Sequence, residues 1–221
     1  MHLLAAEAQR IDDGQEAVDL ALAPAPIVIL SAADSEIAAF NEAVKRWDGP
    51  EVRLASLSAL THPMSVDMLA AQTLRAAKVV AVRLLGGEGY FAYGVEVLRR
   101  LALGGGPALM LVPGEAAYDA QLAARGTVDA PIAEAFHALC REGGPLNRER
   151  ALTLLAHLVD GRALPPPAAT LPAAGPYLPQ GADTWPDGPG VGVVFYRSHL
   201  MDGLTGGVDA VCTALAAAGL R

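Results

Sequence analysis

An alternation repeated along the first half of the chain leaves few folds open to it. Short β-branched apolar runs, "IVILSA", "EVRLASL", "KVVAVRLL" and "PALMLVPG", are separated by helix-length segments. In "DSEIAAFNEAVKRW", Ile37, Phe40, Val44 and Trp47 fall at helical spacing behind Asp34 or Ser35 as a cap. "THPMSVDMLAAQTLRAA", with Met64, Met68, Leu69 and Leu74, and "YGVEVLRRLAL" read the same way. Strands buried on both faces and alternating with helices form a parallel sheet. Right-handed crossovers then put helices on both of its faces. The expected class is α/β, a doubly wound, mostly parallel, flavodoxin-like sheet. "HLLAA" at the start is a candidate first strand, followed by an acidic connection closed by two prolines.

After Pro113 the rhythm changes. "DAPIAEAFHALCREGG" and "NRERALTLLAHLVDG" each carry an apolar stripe, the second with Asn147 as its expected cap and Gly161 as its stop. They predict a helical hairpin over about 129–160, packed on the end or face of the sheet. The first domain is thus expected over 1–161. A Pro/Ala/Gly-rich connector follows over 162–190, which cannot join a ladder regularly. "VGVVFYRSHL" and "TGGVDAVCTALAAAGLR", 191–221, read as one more strand and helix. They are either the start of a second α/β unit or an edge unit of the first.

Composition narrows the function classes. Hydrophobic residues make up 52% of the 221, enough for a sizeable core. The formal net charge is −8, with no basic run or stripe, so nucleic acid is not an expected partner. Cys140 and Cys212 stand far apart and no C-x-x-C pair exists, which speaks against a disulfide scaffold or structural zinc. The first residues lack a basic n-region, and no stretch of about 18 apolar residues is present. A protein of the reducing cytoplasm, not associated with a membrane, is expected.

Ligands of open α/β sheets bind beyond the carboxyl ends of the strands. One such end is "RLLGGEGYFAYG". It matches neither G-x-G-x-x-G nor G-x-x-x-x-G-K-[ST], has no lysine, and places Glu88 where phosphates would sit. ATP binding at this loop is therefore rejected. Tyr90, Phe91 and Tyr93 have two readings: a platform for a flat ligand, or a plug packed on neighbouring protein. Arg83 lies inside an apolar strand near its carboxyl end and must be paired or reach an edge. Arg197 follows another apolar run. Capture of ligand carboxylates and a structural ion pair with Glu88, Glu115 or Asp34 are both open for Arg83. His62 and His199 sit in turns, as solvated or capping groups before metal ligands. Asp12, Asp13 and Asp34 match no cation-loop spacing. Ser31 and Ser35 lack a nucleophile elbow, and Cys140 on an apolar stripe is expected to be inert. The residues themselves identify no catalytic constellation.

The series "MHLLAAEAQRIDDGQEAVDL", "IVILSAADSEIAAF", "VVAVRLLGGEGYFAYGVEVLRRLA", "ALMLVPGE" and "VGVVFYRSHLMDG", in this order, resembles the amino-terminal part of the large subunit of aerobic cobaltochelatase. This CobN-type family is related to the magnesium chelatase H subunit. The resemblance implies a much longer polypeptide whose later body holds the catalytic centre. It implies insertion of Co2+ into hydrogenobyrinic acid a,c-diamide in aerobic cobalamin synthesis, with ATP and Mg2+ used by AAA+-type partner subunits. No catalytic residue and no cofactor is carried over to this chain, whose expected partners are the remaining domains of the subunit and the tetrapyrrole. Arg83, Tyr90, Phe91, Tyr93 and Arg197 are the candidate tetrapyrrole contacts, because the macrocycle is flat and bears several carboxylates. A stand-alone flavodoxin-like binding module and a magnesium chelatase H subunit fragment are the alternative readings.

Overall fold

A computed structural model describes residues 16–179, 184 and 187–220. Four strands form one parallel sheet in the order β2-β1-β3-β4, with β1 at Ile27–Ser31, β2 at Val52–Ser56, β3 at Val79–Leu84 and β4 at Ala108–Pro113. The register aligns Ser31 with Ser56 on one side and with Arg83 on the other, and Arg83 with Val112. β1 and β3 are buried along their whole length, which is what their unbroken β-branched runs require.

Side-chain alternation divides the core into two layers. Ile27, Ile29, Val79, Ala81, Met110 and Val112 point to the first face, and Val28, Leu30, Val80, Val82, Leu109 and Leu111 to the second. Helix α1, Asp34–Val44, packs on the first face through Phe40 and Ala43. Helices α2, Pro63–Gln72, and α3, Ala92–Leu103, cover the second through Val66, Leu69, Val95 and Leu98. This is the expected doubly wound architecture. A short α4, Ala120–Ala123, capped by Asp119, follows β4.

The hairpin is built from α5, Ala130–Glu142, and α6, Gly144–Asp160. It lies on the face of the sheet and completes the first layer beside α1, through Phe136, Leu139, Leu152 and Leu155. Asn147 does not cap α6. It lies inside the helix, where its side chain donates to the carbonyls of Gly143 and Ala169 and accepts from the Ala169 amide. The helix still stops at Gly161, whose amide bonds the carbonyl of His157. Similarly, α1 begins behind Ala33, whose amide is held by the Ser31 hydroxyl, instead of behind an Asp34 or Ser35 cap.

One expected strand is not formed. Val191–Tyr196 runs extended but pairs with no strand among the described residues. The chain then forms a five-residue α7, Ser198–Asp202, and the helix α8, Gly206–Ala217. "HLLAA", Asp12 and Asp13 lie outside the described residues. No helix among the described residues is long and apolar enough to cross a membrane.

Candidate functional site at the carboxyl edge of the sheet

In a sheet of this topology the ligand crevice opens where adjacent strands send their helices to opposite faces. That point lies between β1, which leads to α1 on the first face, and β3, which leads to α3 on the second. The backbone closes the junction, the Ala32 amide donating to the carbonyl of Arg83 at 3.1 Å.

A buried charge cluster fills the first-face side of this crevice. Register and alternation bring Ser31 and Arg83 next to each other, both facing α1. Glu36, in the first turn of α1, receives a bond from Arg83 Nε at 3.0 Å, from Arg148 of α6 at 2.9 Å and from the Ser31 hydroxyl at 2.7 Å. Arg83 and Arg148 are only 4% and 3% exposed. Burial alone would raise the Glu36 carboxyl, but the two guanidiniums override it and hold it below the usual carboxylate range. Arg83 also donates to the carbonyls of Pro113, at 2.9 Å, and Gly114, at 3.4 Å. Arg148 lies 4.8 Å from the centroid of the Phe40 ring, where the ring's electron-rich face favours its charge.

Arg83 is therefore paired, but with Glu36 and not with the carboxylates expected from the sequence. Asp34 accepts from the Ser56 hydroxyl, Glu88 pairs with Arg125, and Glu115 accepts from the Gly86 amide at 2.5 Å. The last contact places a carboxylate on the leading amide of the glycine loop. Buried and fully engaged, Arg83 is not presented to a ligand.

His137 of α5 belongs to the same cluster. Its Nε2 lies 3.3 Å from the Ala116 carbonyl, and its Nδ1 lies 3.5 Å from an Arg83 nitrogen. Its Nδ1 also lies 3.3 Å from the Pro113 carbonyl, so a neutral ring donates to only one of the two carbonyls. Burial, reinforced by the Arg83 charge, pushes its pKa down, against the pull of the neighbouring carbonyls.

The aromatic trio separates into three roles. Tyr90 is 83% exposed and its ring lies over Gly86, where an added Cβ would come within 2.3 Å of it. Gly86 also has φ +76°, a conformation that glycine adopts freely. Phe91 is turned inward and fills the space above Gly94, so it is a packing residue. Tyr93 is partly exposed, and its hydroxyl donates to the Asp67 carboxylate at 2.9 Å. Only Tyr90 and Tyr93 of the trio are available at the surface. Arg197 lies away from this edge. It binds Glu142 at the end of α5 and the carbonyls of Leu171 and Pro172, tying the connector down. The structure thus does not bring the five candidate residues together into one site.

Of the remaining candidates, His62 accepts the Met64 amide at the start of α2. His199 packs its ring near Phe195. Cys140 is buried, which pushes its thiol up to about 11. No group of three or more His, Cys, Asp or Glu among the described residues is placed to hold a metal ion.

Glu36, Arg148 and His137 were not among the residues that the sequence singled out. Their signal was positional. Glu36, Phe40 and Ala43 share one helical stripe, as do Arg148, Leu152 and Leu155, so each charge sits where an apolar residue belongs.

No protein-family model matches the chain. Among curated proteins, the aerobic cobaltochelatase subunit CobN of a Sinorhizobium species is 38% identical to it, and that of Pseudomonas aeruginosa 36%. Each alignment takes in 100% of this chain and 19% of the relative, so the chain spans about a fifth of the length of the proteins it matches. Among solved structures, the catalytic subunit of cobaltochelatase from Mycobacterium tuberculosis superposes with a TM-score of 0.69 at 29% identity. That match covers 88% of this chain and 15% of the solved one. In sequence over its whole length, and in fold over most of it, the chain belongs to the CobN family of aerobic cobaltochelatase subunits.

Proposed function

We propose that the chain is the amino-terminal portion of a cobaltochelatase large subunit and acts in it as a scaffold that helps to build the tetrapyrrole site. The observation that carries this reading is the 38% identity to a CobN subunit across the whole chain. The reaction served is the insertion of Co2+, a substrate, into hydrogenobyrinic acid a,c-diamide. ATP with Mg2+ is used by AAA+-type partner subunits, and metal handling belongs to the rest of the large subunit.

The packing of the carboxyl edge supports a scaffolding role. Its buried charges are spent on one another, which fixes the strand ends, α1 and α6 as one rigid block. What this block presents outward at the β3–α3 corner is Tyr90, with Tyr93 beside it. An aromatic ledge of this kind suits the face of a macrocycle.

The test uses the full-length subunit together with its ATPase partners. Cobalt insertion is followed by the change in corrinoid absorbance, and tetrapyrrole binding by fluorescence titration. Insertion is expected to require the full-length subunit, and Tyr90→Ala is expected to weaken tetrapyrrole binding about tenfold, as loss of one stacked ring would. Absence of cobalt insertion would overturn the functional reading. Unchanged affinity in a folded Tyr90→Ala protein would remove the ledge.

A further inference from the structure

The segment Val191–Tyr196 has the composition of a central strand and the surroundings of none. Val191, Val193, Val194 and Phe195 border a groove beside α8, and Val194 and Tyr196 are 96% and 82% exposed. Apolar side chains on both sides mark a strand buried on both faces in its complete setting. Its backbone is equally unprovided for, since no ladder bond joins Val191–Phe195 to another strand among the described residues.

Helix α8 tells the same story independently. Its sequence, GGVDAVCTALAA, holds one carboxylate, Asp209, and is otherwise apolar or small on every side. None of its residues is buried. A helix that is apolar all round belongs in an interior. Between α8, the extended segment and the connector lies a groove of about 910 Å³, lined by Val193, Phe195, Val208, Cys212 and Leu215 among others. Tyr177 closes one part of it, edge-on to Phe195 and bonded through its hydroxyl to Asp209.

A strand followed at once by a helix is the first half of a βαβ crossover, whose second strand pairs parallel with the first beneath the helix. The groove has that place. CobN relatives supply the material, since about four fifths of their length lies outside the part that this chain matches. We propose that Val191–Tyr196 and α8 form a docking surface whose occupant is a parallel β-strand from the remainder of the same large subunit. Its backbone completes the open ladder and its side chains fill the groove. The paired strand then becomes part of a second sheet, with Val194 and Tyr196 covered. A second copy of this chain fits the surface less well, because the pairing of two equivalent edges around a two-fold axis is antiparallel and leaves the crossover position under α8 empty. This inference rests on membership of a longer CobN-type subunit.

Hydrogen–deuterium exchange of the 221-residue chain and of the full-length polypeptide encoded by its gene tests it. Amides 192–196 are expected to exchange close to the unprotected rate in the 221-residue chain and at least a hundredfold more slowly in the full-length protein. Val193→Glu, which puts a charge in the groove, is expected to abolish that protection while leaving exchange in β1 and β3 unchanged. Equal exchange of 192–196 in the two proteins overturns the proposal. So does protection that appears in the 221-residue chain on raising its concentration, which assigns the surface to a second copy. Protection on adding tetrapyrrole to the short chain overturns it in favour of a ligand groove, and a gene encoding only these 221 residues overturns it outright. A protected full-length protein that inserts no cobalt keeps the docking surface and removes the functional reading, so the two fail separately.

Discussion

Replacing Glu36 by Gln keeps the volume of the side chain and removes its charge. The structure fixes what is left behind: two guanidiniums, 4% and 3% exposed, previously 3.0 and 2.9 Å from the same carboxylate. Breaking a buried ion pair by removing one partner costs about 3–5 kcal/mol, because the surviving charge stays desolvated and unpaired. With two survivors the upper part of that range is expected. A single domain has only about 5–15 kcal/mol of stability in all, so the variant should be marginal at room temperature. For a urea m-value of about 2 kcal/mol/M, the unfolding midpoint should fall by about 2 M. The assay is equilibrium urea unfolding at neutral pH, followed by far-ultraviolet circular dichroism. The triple variant Glu36→Leu/Arg83→Met/Arg148→Leu provides the control. It removes all three charges together and should recover most of the loss, as apolar replacements of buried charge clusters do. Acid has the same effect as the single substitution. The Glu36 carboxyl is depressed, so its contribution is complete above its ordinary value near 4.5 and is lost as pH falls toward the native value. If Glu36→Gln unfolds within about 0.5 kcal/mol of the parent, the charges are not buried in one another's company and the reasoning fails.

His137 is also held below its ordinary 6.5, so below that pH the unfolded chain takes up a proton that the native ring refuses. Stability should decline from about pH 7 toward 5 with a slope of up to about 1.4 kcal/mol per pH unit, and His137→Gln should flatten that part of the profile. Asn147→Ala strips three bonds from Gly143 and Ala169 and should cost about 1–3 kcal/mol; limited proteolysis should then cut within 162–172 sooner than in the parent. With its thiol pushed up to about 11 and buried, Cys140 should resist a disulfide reagent in the native protein, react on unfolding in urea, and lag behind the more accessible Cys212.

Much of the fold was legible because it depends on periodicity. Runs such as Val79–Leu84 have few alternatives to a strand buried on both faces, and the stripes of α1, α5 and α6 are plain in the sequence. The site was less legible, since it depends on which stripes meet. Arg83 announced a need for a partner, but Glu88 and Glu115 lie nearer to it in sequence, and only the packing of α1 selects Glu36 over Asp34 of the same helix. The difference between Tyr90 and Phe91 was invisible for a similar reason. A single 3-10 turn, Glu88–Phe91, rotates one ring out and the next one in. Val191–Tyr196 marks the opposite case, where the residue pattern was right for a strand and no neighbour among the described residues lets it become one.

The Glu36–Arg148 bond joins residues 112 positions apart, whereas Glu36 and Arg83 are separated by 47. Time enters through that difference. On the ribosome all four strands are synthesised before Arg148, so until α6 emerges the first face of β1 and β3 lacks part of its cover and Glu36 lacks its second guanidinium. Dehydration of the cluster and closure of the sheet's first face are thus one late event, timed by the synthesis of α6. A translational pause before that helix has emerged prolongs the aggregation-prone interval, and a pause after its emergence does not.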